Sequence, residues 1–210
     1  GFDKLDAVEL NAIEPGLEGR FAAGLFYAEE AHMAPPAAMA FLLAEARRAG
    51  AEISLGTSWS ADADDADVVI DCRGLAARGE LGGLRGVRGE RLLLHTAEVD
   101  LKRPVRLLHP RFPLYVVPWG KGVYMIGATV IESEETGPIT LRSSLDLLSA
   151  AYALDPAFAE AEIVLQGAGA RPAFPDNRPR IIVAERYIYV NGLYRHGFLL
   201  APIMAELVAD

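Results

Sequence analysis

Arg171 is the residue whose type and setting point most directly to chemistry. It sits in Gly169-Ala170-Arg171-Pro172, just beyond an apolar run at 163–165 that reads as a strand. A guanidinium there can grip a carboxylate through two parallel charge-assisted hydrogen bonds, which fix the ligand's orientation as well as its position. The plainer reading is a surface arginine paired with an acid. Tyr115, in Pro113-Leu114-Tyr115-Val116-Val117-Pro118, offers a phenol that could donate to a carboxylate or simply fill a strand face. Arg195 and His196 stand between Gly192 and Gly197, at the entry to an apolar helix over 198–208 that reads as buried. Glycine at both places lets the backbone approach a ligand closely.

Other chemistries lack their residues. His32, His95, His109 and His196 are too scattered, and too poor in cysteine or carboxylate neighbours at ligand spacing, to suggest a metal site. There is no G-x-S-x-G elbow and no phosphate-binding loop. Gly167-Ala168-Gly169-Ala170-Arg171-Pro172 opens like a dinucleotide loop, but proline replaces its last glycine and no helix follows. Arg85, Arg88 and Arg91 could touch an anion, although a solvated loop is the simpler reading.

The elements that must position these residues fall into two patterns. A short strand at 25–27 leads through a turn to a helix opened by Pro35 and Pro36 and capped at Gly50, with Ala38, Met39, Leu42, Leu43 and Ala46 on its apolar face. A strand at 52–55, an acidic turn at 62–67 and a strand at 68–70 follow. The three β-branched residues of that last strand predict burial on both faces, as in a parallel sheet. Five glycines between 79 and 89 loosen the chain and mark a crossover between sub-domains. Beyond them, runs at 92–94, 105–109, 114–117 and 122–129 read as antiparallel strands. A helix over 140–154 carries Leu141, Leu145, Leu148 and Tyr152 as one stripe and stops at Asp155-Pro156. The fold class expected is α+β: a largely antiparallel sheet with helices, plus α/β elements like part of a dinucleotide-binding domain.

As a set these motifs resemble the carboxy-terminal part of the glycine oxidase (ThiO) branch of the D-amino-acid oxidase family of FAD-dependent oxidoreductases. The G-x-R-P turn, the Y-x-x-P strand, Gly127-Ala128-Thr129, Arg88-Gly89-Glu90 and the Gly192–Gly197 segment carry the likeness. The chain departs from the pattern at Leu193 and His196, and at Asp71-Cys72-Arg73-Gly74, where the family commonly has A-[ST]-G. The resemblance implies that Arg171 and Tyr115 hold a substrate carboxylate, with Arg195 nearby, and that Val130 lines the pocket. It implies that Gly192, Arg195, His196, Gly197, Phe198 and Leu199 pass close to the flavin. No acid–base side chain is required, since a neutral substrate amine suffices.

The implied activity is oxidative deamination of glycine or another small amino acid to keto acid, ammonia and hydrogen peroxide, in the thiazole branch of thiamine synthesis. The implied layout is a substrate-binding domain from 1–34 and 80–172 and a partial FAD domain from 35–79 and 173–210. No G-x-G-x-x-G fingerprint is present, and the chain opens on Gly1 and stops inside a helix at Asp210. These features suggest a piece of a longer protein whose missing amino-terminal segment holds FAD, so the piece alone is expected to be inactive. A non-catalytic amino-acid-binding module or subunit, and a D-amino-acid dehydrogenase, remain alternatives.

Composition narrows the setting. With 210 residues and 51% apolar content the chain can bury a core. Twenty-nine acidic against 20 basic residues give a net charge of −9, against a nucleic-acid partner. No apolar run is long enough for a bilayer, and the lone Cys72 fits the reducing cytoplasm. Apolar surface left bare by an absent domain could drive formation of a homo-oligomer.

Overall fold

The computed structural model describes residues 1–59, 66–109 and 114–209. Most of the acidic turn expected at 62–67 lies outside the described residues, as do Pro113 and Asp210. The chain divides into two compact units. The first comprises Gly1–Ile53, Glu90–Ala128 and Pro138–Gly167; the second comprises Ser54–Gly89, Thr129–Gly137 and Ala168–Asp210.

In the first unit, β1 (Asp3–Asp6) and β2 (Ala23–Phe26) form an antiparallel pair. Between them lies α1 (Ala7–Ile13), opened by a capping box: the Asp6 carboxylate accepts from the Val8 and Glu9 N–H groups, and Glu9 accepts from the Asp6 N–H. The buried carboxylate of Glu14 then accepts from the Lys102 N–H at 3.2 Å and the Arg103 N–H at 3.0 Å. This ties the amino-terminal segment to a distant loop. The expected helix is present as α2 (Pro35–Arg48). Gly50 adopts φ +89° and its N–H reaches the Arg47 carbonyl, while Ala51 reaches Ala46, which completes a Schellman cap. Its apolar face is only partly covered: Ala38, Leu43 and Ala46 are half-buried, but Met39 and Leu42 are exposed. Residues 52–55 form no strand, because the segment finds no ladder partner.

The main sheet runs in the order β5-β6-β7-β4-β8, with β4 (Arg85–His95), β5 (Val105–Leu107), β6 (Leu114–Gly120), β7 (Val123–Gly127) and β8 (Glu162–Ala173). The pairs β5–β6, β6–β7 and β4–β7 are antiparallel, as the sequence predicts. Strands β4 and β8 each continue into the second unit. Across the first unit's part of this sheet lies α3 (Leu141–Leu154), whose Thr140 cap oxygen accepts from the Ser143 N–H. Of the expected stripe only Leu148 packs against the core, partly buried. Leu147, Ala150, Ala151 and Leu154 enter the core with Leu92, Leu94, Val116 and Ile126, while Leu141, Leu145 and Tyr152 are exposed. Both stripes have helical spacing, and the sheet takes the one with small residues, which allow close approach.

In the second unit the sheet order is β3-β10-β9, from β3 (Val69–Asp71), β9 (Arg180–Ala184) and β10 (Tyr187–Asn191). The β3–β10 pair is parallel, as expected, but β3 is not buried on both faces. Ile70, Ile188 and Val183 share one cross-strand row, and Ile70 and Val183 in it are exposed. The opposite row, with Asp71, Tyr189 and Ile182, faces a small core of Ala77, Leu81, Leu84 and Phe174. The chain ends in α4 (Gly197–Ala209).

Candidate functional site

Arg171 lies within β8 and not beyond its end, because the strand runs on from 165 through small residues to Ala173. Its guanidinium occupies the place that a β-carbon would take at Gly89, so this glycine is required by close approach. The Arg171 Nη1 donates to the Thr129 carbonyl at 3.4 Å. The stretch from Arg85 is strand, not the solvated loop that its glycines suggest. Arg88 and Glu90 are buried, and the Glu90 carboxylate accepts from the Thr140 N–H at 3.2 Å within the first unit.

Val130 follows Thr129 in the Thr129–Gly137 segment and is exposed. That segment is fastened to the start of β4. Arg78 grips both oxygens of Glu134, with Nη1 at 2.6 Å from Oε2, and Glu134 also accepts from the Gly86 N–H. Arg85 pairs with Glu132 at 2.5 Å, Arg88 donates to the Glu135 carbonyl at 2.6 Å, and Arg88 and Ile131 exchange backbone hydrogen bonds. The Arg78 hydrogen bonds hold the Glu134 carboxyl below the usual carboxylate range.

The turn before α4 is built from the backbone outward. Asn191, buried, donates from Nδ2 to the Gly74 carbonyl at 2.9 Å and accepts from the Gly192 N–H. Gly192 has φ +78°, and a β-carbon there would run into the ring of fully buried Phe174. The Tyr194 N–H donates to the Pro172 carbonyl at 3.1 Å, tying the turn to the residue after Arg171. His196 accepts from Leu200 and opens the helix. Arg195, His196, Phe198 and Leu199 are exposed, and around Gly197 a β-carbon would meet nothing within 4 Å. The expected buried helix is thus present but uncovered, with Met204 buried and Ile203 and Leu207 exposed. Since first-turn N–H groups lack intrahelical partners, this open helix end fits an anionic or electron-rich group such as the polar edge of a flavin.

The second unit therefore gathers Arg171, Val130 and the 192–199 segment. Tyr115 belongs to the first unit, half-buried on β6 opposite Gly127 of β7, where the missing β-carbon leaves room for its ring. The sequence reading missed one ionic cluster. Asp71, 5% exposed, accepts from Arg73 Nη2 at 2.6 Å, from its Nε at 2.9 Å and from its backbone N–H. Arg73 also reaches Glu80 and lies 4.9 Å over the Trp59 ring. Burial pushes the Asp71 carboxyl up, but the hydrogen bonds and charge of Arg73 outweigh it, and the net direction is down. An acid and an arginine two apart at a strand end were the available signal. Among the described residues no group of three or more His, Cys, Asp or Glu could hold a metal, and no helix is long and apolar enough to cross a membrane.

Comparison with known proteins identifies the family. The family model described as DAO, FAD dependent oxidoreductase, matches residues 1–210. A Rhizobium etli protein provisionally named thiamine biosynthesis oxidoreductase ThiO is 54% identical over 209 residues, covering 100% of this chain and 64% of the relative. The solved glycine oxidase of Geobacillus kaustophilus is 25% identical with a TM-score of 0.81, covering 100% of this chain and 62% of that one. The Bacillus cereus glycine oxidase, at 22% identity and TM-score 0.82, shares the fold over 64% of its length. The chain thus spans somewhat under two thirds of these relatives. By its sequence match over the whole length and by its α+β architecture, the chain belongs to the DAO family of FAD-dependent oxidoreductases.

Proposed function

We propose that this chain is the substrate-binding part of an FAD-dependent oxidase that deaminates glycine or another small amino acid, serving the thiazole branch of thiamine synthesis. The observation that carries the reading is the Arg171 guanidinium seated in the space left by Gly89. A positive fork held in a fixed notch suits a small carboxylate, and gripping the carboxylate sets where the α-carbon points. Val130 lines the pocket and Arg195 adds positive charge. The backbone from Gly192 to Leu199 would line a bound flavin, and the α4 amino terminus would favour negative charge there. Bound FAD would supply the acceptor for the hydride leaving the α-carbon, and with water and dioxygen the products would be keto acid, ammonia and hydrogen peroxide.

On this reading 1–34 with 80–172 serve the substrate and 35–79 with 173–210 serve the cofactor. The G-x-G-x-x-G fingerprint, absent from this sequence, belongs to a further segment of the same protein, which the greater length of the relatives supports. The test is the full-length, FAD-loaded protein with glycine, sarcosine and small D-amino acids. Peroxide in equal amount to the ammonia released, or to the methylamine released from sarcosine, with KM raised about 100-fold or more by Arg171→Met, is the expected result. No peroxide from any of these amines overturns it.

A further inference from the structure

The Thr129–Gly137 segment supplies the carbonyl that meets Arg171, and its far end is held by an ion pair on the surface. We infer that Arg78 and Glu134 are positioning residues: together they pin this segment along β4, so that the Thr129 carbonyl holds the Arg171 guanidinium in one orientation. The inference rests on the reading of Arg171 as the carboxylate clamp.

Several observations separate this pair from an ordinary surface ion pair. Arg78 uses both terminal nitrogens, and its Nε donates to the Leu84 carbonyl at 3.1 Å, which fixes the side chain before it reaches Glu134. Glu134 in turn accepts from the Gly86 N–H at 3.1 Å, so one carboxylate joins a side chain and the β4 backbone. A β-carbon at Gly86 would stand 2.9 Å from Glu134 Cγ and 3.2 Å from its Cα. The segment therefore lies on the strand where only glycine fits. Arg85 on Glu132, Arg88 on the Glu135 carbonyl and the Arg88–Ile131 backbone pair repeat the attachment along the same segment. Val130 is left between a residue that touches Arg171 and one bridged to Arg88. Loosening the far end moves the near end, because only three residues separate Glu134 from Val130 along the chain.

The test measures binding of acetate, a carboxylate without an amine, to the FAD-loaded full-length protein by calorimetry, beside KM and kcat for glycine. Arg78→Met and Glu134→Gln are each expected to weaken acetate and raise KM about threefold to fivefold, the scale of one exposed ion pair, with kcat changed less than about twofold. The double variant should be no weaker than either single one, since both remove the same attachment. Arg78→Lys, which keeps the charge and one hydrogen bond, should recover most of the affinity and carries the test if Arg78→Met does not fold. Unchanged acetate binding in Glu134→Gln, or single effects that multiply in the double variant, overturns the inference while Arg171→Met still abolishes binding. If Arg171→Met leaves acetate binding intact, the clamp reading fails and the positioning role falls with it.

Discussion

The guanidinium of Arg171 fills the volume that a side chain at residue 89 would need, so Gly89 and Arg171 form a lock in which one residue's absence seats the other's charge. A glycine in the middle of a strand weakens it by itself. Here the compensation lies in the position it gives to an arginine.

Gly89→Ala should therefore separate function from stability. The methyl group meets the far end of a flexible side chain, which can swing aside, so unfolding free energy should change by about 1 kcal/mol or less. KM for the amino-acid substrate should rise at least about tenfold, because the fork leaves its position. Thermal unfolding and steady-state kinetics on the same preparation check this. A lower melting temperature with unchanged KM would contradict it.

Arg171→Lys keeps a positive charge in the notch but loses the planar fork. Acetate affinity should fall about tenfold, less than in Arg171→Met, because one point contact replaces two parallel hydrogen bonds. Equal affinity for the lysine variant and the parent would show that charge alone, without orientation, does the work.

Gly192→Ala tests the turn before α4. Its φ of +78° disfavours any side chain, and the new methyl would come within 2.7 Å of the Phe174 Cε2 position, in a ring that is fully buried. Destabilisation of about 2–4 kcal/mol is expected from the two effects together. Chemical denaturation measures it directly.

Asp71 gives a prediction in pH. Its folded carboxyl titrates below the ordinary range, so its contribution is complete above the unfolded value and is lost as pH falls through the depressed folded value. Asp71→Asn should be less stable than the parent by about 1 kcal/mol at pH 7, the modest size reflecting an Arg73 side chain that is 34% exposed. That difference should shrink below about pH 4. A gap that persists unchanged into acid would mean that the carboxylate charge is not its source.

The two stripes of α3 can be told apart by truncation. Leu147→Ala, in the core, should cost about 2–4 kcal/mol, whereas Leu145→Ala, 56% exposed, should stay within about 0.5 kcal/mol. Paired denaturation curves decide between them.

What the sequence made legible was local. Pro35 and Gly50 bracket α2 because proline suits a first turn and glycine a left-handed cap, and Thr140 announces α3 by its own hydroxyl. The Asp6-x-x-Glu9 capping box is equally readable. Which stripe of α3 faces inward was not legible, since Leu145 and Leu147 are the same residue and only the facing sheet distinguishes them. Glycines 86 and 89 read as a loosened chain because their reason, clearance for Glu134 and Arg171, arises from residues 48 and 82 positions away in sequence. Val68 and Ile70 look like interior residues by type, but their sheet covers only the alternate row. For the candidate site, the residue able to grip a carboxylate could be picked out by type and motif, whereas the notch that seats it exists only once β4 and β8 run side by side.

The Glu14 carboxylate takes the N–H groups of residues 102 and 103. At position 102 this lock asks for an amide hydrogen and nothing of the side chain, so the residue there can drift freely among related proteins as long as it never becomes proline. Position 14 would therefore show no co-variation with position 102, in contrast to position 103, whose guanidinium lies 3.9 Å from the Glu14 carboxylate. At position 102 the fastening of the amino-terminal segment is thus a constraint that an alignment would record only as a forbidden residue.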